Sequence, residues 1–149
     1  MGWTIALVPR SLLLLLHLAL GDTHLFVQLG IMSLQRALDM ALRTAAEDGK
    51  LEEIQSLLDR RADVNAVAPH YNTPLHFASA NGRHQCVELL LDRHANVDAV
   101  NGFNYTPLHC ASCNGHRQCV ELLINRGADK SIKNVREDGR DTSLHLLLI

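Results

Sequence analysis

The chain has 149 residues, with 14 Lys and Arg against 16 Asp and Glu, for a formal net charge of -2. Hydrophobic residues make up 47% and charged residues 20%, the balance of a globular and not a disordered chain. The near-neutral charge and an aromatic content of 4% exclude the basic footprint and base-stacking platforms of a nucleic-acid binder. The four cysteines are too few for a disulfide scaffold.

Residues 1–31 read as a hydrophobic leader. Arg10 is followed by an apolar block, Leu12-Leu13-Leu14-Leu15-Leu16-His17-Leu18-Ala19-Leu20, which is too short to span a bilayer. A basic residue, a short apolar block and Ala19-Leu20-Gly21 before Asp22 match a secretory signal with a small-residue cleavage site. The alternative is an extension outside the folded domain, because Met32 offers a start that runs straight into the first helix. A helix pair is expected over about 39–61, with Glu52 and Glu53 on its solvated face.

From there the chain repeats itself. Thr73-Pro74-Leu75-His76 returns 33 residues later as Thr106-Pro107-Leu108-His109. Asn81-Gly82 returns as Asn114-Gly115, and Gln85-Cys86-Val87-Glu88-Leu89-Leu90 as Gln118-Cys119-Val120-Glu121-Leu122-Leu123. Each threonine suits a helix N-cap and each proline the first helical position. A first helix is therefore predicted over 74–81 and again over 107–114, ended by Gly82 and Gly115. A second helix is predicted over 84–93 and 117–126, with apolar stripes at Val87, Leu90, Leu91 and at Val120, Leu123, Ile124. Turn residues cluster at 65–72 and 98–105, which places tips near 68–72 and 101–105. A weaker echo, Thr142-Ser143-Leu144-His145, comes 36 residues after Thr106, and Leu146-Leu147-Leu148-Ile149 then stands where small residues and a further helix are expected. The reading is an incomplete last unit with a divergent apolar C-terminus at 146–149, expected to favour self-association through 144–149.

The 33-residue period and its tetrapeptide resemble the ankyrin repeat family over about residues 39–145. The resemblance implies an all-α solenoid of stacked helix-turn-helix units with hairpin loops, about three repeats plus a partial fourth. It also implies a non-enzymatic module that binds a protein partner through hairpin tips and inner helices. By that resemblance Thr73, Pro74, Leu75, His76, Thr106, Pro107, Leu108 and His109 are structural, the histidines bonding to backbone and to the motif threonine so as to tie neighbouring repeats. The implied contact set is Pro69, His70, Asn72, Ala80 and Asn81 from one repeat, then Gly102, Phe103, Tyr105, Cys113 and Asn114 from the next. Phe103 and Tyr105 stand out, since exposed aromatic anchors are typical hot spots; packing across the neighbouring turn is their other reading. Tyr71 departs from the family, which has glycine with positive φ at that tip, so a distorted first hairpin is expected. The Cys-Val-Glu-Leu-Leu blocks are similar to those of ubiquitin-ligase substrate receptors within the family, without their C-terminal box. A truncated isoform or fragment of a larger ankyrin protein, such as a ligase receptor, channel or signalling protein, is the alternative to a self-standing adaptor.

Cys110, Cys113, His116 and Cys119 supply the ligand types for tetrahedral zinc. Cys110 and Cys113 fall on one predicted helix, however, and Gly115 separates them from Cys119 on the next, where free cysteine packs as a small hydrophobe. No metal site, cofactor or small-molecule substrate is expected. No phosphate-cradling glycine loop, Gly-x-Ser-x-Gly or His-Glu-x-x-His occurs, so no enzyme is expected either. His84, His94 and His116 read as solvated polar residues near the ends of the second helices, and His70 as free at a turn tip. The expected compartment is cytoplasmic or nuclear, or secreted or luminal if residues 1–21 act as a signal.

Overall fold

A computed structural model describes the backbone of residues 10–133, with side chains from residue 27 onward. The motif echo at 142–145 and the apolar residues 146–149 lie outside the described residues. The chain divides into two compact units, Met1–Arg36 and Ala37–Ile149. Six α-helices and no strand occur among the described residues.

The longest helix, α1 (Arg10–Asp48), starts far upstream of the expected position near residue 39. No proline interrupts the chain between Pro9 and Pro69, and leucine-rich sequence is a good helix former, so the helix continues through the leader. In the first unit its residues Val27, Leu29, Ile31, Met32 and Leu34 are all exposed.

The second unit repeats one design. The last part of α1 packs with α2 (Leu51–Asp59), α3 (Pro74–Ala80) is followed by α4 (His84–Asp92), and α5 (Pro107–Cys113) by α6 (Arg117–Asn125). The four predicted helices of 74–126 are each present, one residue shorter at the C-terminal end. The core follows the period. Leu42, Leu75 and Leu108 are 33 apart and buried, as are Ile54, Val87 and Val120, and Leu57, Leu90 and Leu123. Ala45, Ala78 and Ala111 share another buried register, and small side chains there let the first helices of adjacent units approach closely. One pair of short helices cannot bury its own apolar face; the stack supplies the missing partner surface. Glu52 and Glu53 are exposed on the first turn of α2, where acidic residues oppose the helix dipole favourably.

Chain reversals fall where the backbone turns left-handed. Gly49, Gly82 and Gly115, again 33 apart, take φ of 81°, 66° and 72° and join the two helices of each unit. After the second helices the same conformation recurs at Arg61, His94 and Gly127, with φ of 68°, 66° and 88°. His94 is thus a helix-stop residue as well as an exposed one. Between units, Arg93 pairs with Asp59 at 3.1 Å and Arg126 with Asp92 at 2.6 Å. These exposed pairs are each worth about 0–1 kcal/mol, so apolar stacking dominates the seams.

Candidate functional site

Two hairpin tips stand side by side. In the first, the Ala68 N–H donates to the Asn72 carbonyl at 2.8 Å and the Tyr71 N–H to the Ala68 carbonyl at 2.9 Å. In the second, 33 residues on, the Asn101 N–H donates to the Tyr105 carbonyl at 3.0 Å and the Asn104 N–H to the Asn101 carbonyl at 3.0 Å. The residues between are three in each, a common hairpin length with a left-handed residue at its end. Tyr71 and Asn104 occupy that position with φ of 59° and 62°. The first tip differs from the second at His70, and not at Tyr71 where a distortion was expected. His70 is also left-handed, at φ 63° and ψ 23°, so residues 68–71 close as a β-turn and not as regular 3-10 helix. With Pro69 setting the preceding φ, the third position of this turn is one that glycine normally fills.

The tips are fastened to each other. The Gly102 N–H donates to the His70 carbonyl at 2.7 Å, and a side chain at Gly102 would come within 3.2 Å of that same oxygen. The His70 and Phe103 rings stand 5.0 Å apart, tilted by 32°. The Asn101 Nδ2 donates to the Asn72 Oδ1 at 2.7 Å, while its Oδ1 accepts from the N–H groups of Phe103 at 3.0 Å and Tyr105 at 2.9 Å. Asn101 is buried and organises the second tip. It has no counterpart in the sequence period, where Ala68 stands, so nothing in the repeat pattern singles it out.

The motif histidines anchor the tips from below. The Thr73 N–H donates to the His76 Nδ1 at 3.2 Å, which leaves the proton on Nε2 to reach the Tyr105 carbonyl at 3.0 Å. Thr106 and His109 repeat the arrangement, with the Thr106 N–H donating to the His109 Nδ1 at 3.2 Å, and the Tyr105 ring meets the His109 ring edge-on. Burial lowers the His76 pKa below its ordinary value, against smaller opposing pulls from the Tyr105 and Ala99 carbonyls. His76 is therefore a neutral structural tie between repeats.

His116 is not merely a solvated helix-end residue. It is half-buried, and its Nε2 donates to the Ala80 carbonyl at 2.9 Å. Arg83, 33 residues earlier, makes the equivalent bond to the Glu47 carbonyl at 3.2 Å. Comparing those two positions in register is the signal that reading each histidine singly misses. Each reach is made past a glycine: a Cβ on Gly82 would lie 2.5 Å from His116 Nδ1, and one on Gly49 would lie 2.7 Å from the Arg83 side chain.

Of the residues the resemblance implied for partner contact, Pro69, His70, Gly102 and Phe103 are exposed at the tips. Asn81, Cys113 and Asn114 are exposed at the ends of α3 and α5, and Ala80, Asn72 and Tyr105 are half-buried. Phe103 keeps more than half its surface open while touching His70, whereas Tyr105 is drawn toward His109. Val67, Tyr71 and Val100, outside that set, are exposed apolar residues on the same loops.

All four cysteines are free thiols. Burial, with a smaller contribution from Cys113, pushes the Cys110 thiol up to about 12, and burial also raises Cys86 and Cys119. Burial thus disfavours the thiolate, the nucleophilic form, at all three. Among the described residues no group of three or more His, Cys, Asp or Glu side chains is placed to hold a metal ion. No helix among them is long and apolar enough to cross a membrane.

A helix-pair stack with projecting hairpin tips and histidine-tied caps defines a repeat protein of the interaction class. The ankyrin repeat family matches residues 42–134 in three copies, and the chain belongs to that family. Ankyrin repeat domains are generally non-catalytic modules that bind other proteins. No match to a curated protein was found.

Proposed function

We propose that the chain is a non-enzymatic adaptor that holds one protein partner across its two hairpin tips and the adjoining ends of α3 and α5. The observation that carries this reading is the rigid presentation of exposed groups. His70, Gly102 and Phe103 lie on solvent-facing loops whose backbones are bonded to each other and to buried Asn101 and His76. Loops already held in one conformation lose little entropy on binding. Phe103 is the anchor, Pro69 and His70 flank it, Tyr105 supports it, and Asn72, Ala80, Asn81, Cys113 and Asn114 extend the contact along the inner surface. Four free thiols support a reducing compartment, cytoplasmic or nuclear.

The test compares binding and folding in the same variants. Phe103→Ala weakens partner binding by about 2 kcal/mol while leaving helix content and melting temperature unchanged. Tyr105→Ala lowers both, because its ring also packs on His109. Unchanged affinity in Phe103→Ala would remove the anchor from this account.

A further inference from the structure

We propose that the helical segment 27–34, in the first unit, inserts into the acyl region of a lipid bilayer. Its residues Val27, Leu29, Ile31, Met32 and Leu34 are each half or more exposed. At 3.6 residues per turn, Val27, Ile31 and Leu34 line one side of the helix, while Leu29 and Met32 lie on the opposite side. A groove on another protein, or a second copy in a coiled coil, covers one stripe and would leave the far side in water. An apolar surface on both sides fits a medium that is apolar on both sides.

Charge points the same way. From residue 11 to residue 35 the chain carries one acidic residue, Asp22, and no Lys or Arg. The backbone is helical throughout this stretch, so its polar groups bond internally and can leave water. Arg36 is exposed directly after the segment, where a cation can stay at the headgroups while its neighbours are immersed. With no Lys or Arg inside 11–35, and His17 and His24 taken as neutral at pH 7, the lipid needed is neutral, and the attraction is burial of apolar surface and not charge.

The experiment is flotation of the full chain with phosphatidylcholine vesicles at low and high salt. The chain floats at both, and Ile31→Asp lowers the partition coefficient by about 100-fold, the cost of placing a carboxylate among acyl chains. Val67→Asp, an equally exposed apolar position on a repeat loop, leaves it unchanged. An unaltered melt of the repeats in Ile31→Asp establishes that the loss is not unfolding. Three results would each overturn the proposal: absence of flotation, equal loss in Val67→Asp, or binding only to anionic vesicles that disappears at high salt. A lipid-free dimer abolished by Ile31→Asp, without vesicle binding, would equally overturn it and assign the segment to a second copy.

Discussion

Leu108→Ala probes the stack at its most informative position. Leu108 lies one residue beyond the proline of α5, is 1% exposed, and shares its register with buried Leu42 and Leu75. The substitution deletes three carbon atoms from a site that solvent does not reach. At about 0.8 kcal/mol per buried methylene, the transfer loss is roughly 2.4 kcal/mol. The residual cavity adds to this, since helices tied by Thr106–His109 and by the stack relax only in part, and such changes cost about 2–5 kcal/mol in total. Against a total stability of about 5–15 kcal/mol, a loss near 3 kcal/mol is large. Urea unfolding followed by helical circular dichroism reads it directly, and the thermal midpoint falls by about 10–20 °C. A change below about 0.5 kcal/mol, the range of surface substitutions, would mean that Leu108 is not a stacking residue and that the 33-residue core register is wrong.

Three further outcomes follow from the seams and the thiols. Gly82→Ala and Gly115→Ala both impose a left-handed conformation on alanine, at about 1–2 kcal/mol, but only the first also displaces His116 from its bond to Ala80. Gly82→Ala is therefore the more destabilising in urea titrations, and equal costs would deny the His116 tie. His76 has a folded-state pKa below its ordinary 6.5, so the unfolded chain takes up the proton first; its contribution is complete above pH 6.5 and is lost as pH falls through 6.5 toward the folded value. Unfolding free energies between pH 8 and 5 should show that decline with a smaller slope in His76→Gln, and identical slopes would contradict it. A maleimide at pH 7 labels exposed Cys113 first, whereas Cys110, protonated up to about 12, reacts slowly; the reverse order would refute the assigned burial.

The repeat pattern carried much of the fold in its residues. Thr73-Pro74 and Thr106-Pro107 mark helix starts, Gly82 and Gly115 mark their reversals, and the bounds follow from those four points. The distortion expected from Tyr71 does not arise there: Tyr71 and Asn104 take the same left-handed conformation, and the tips differ at His70, the residue after Pro69. Arg61 and His94 were not legible singly, since neither side chain announces a positive φ. Only their alignment with Gly127 at the same 33-residue spacing reveals the slot. The tip-to-tip bonds escaped for a different reason. Asn101 replaces the alanine of the preceding repeat; its bonds to the Phe103 and Tyr105 N–H groups are local to its own tip, but its bond to Asn72 depends on the tips standing side by side, which no local pattern encodes. The length of α1 escaped because a signal-like composition and a helix former share the same leucines.

The central claim is that the tips, and not the outer helices, meet the partner. A photo-crosslinking amino acid placed in the full chain at position 103, on the second tip, and separately at position 55, on α2, tests it most directly. Partner adducts are expected from position 103 and none from position 55. Adducts from position 55 with none from position 103 would contradict it and move the binding surface to the second helices.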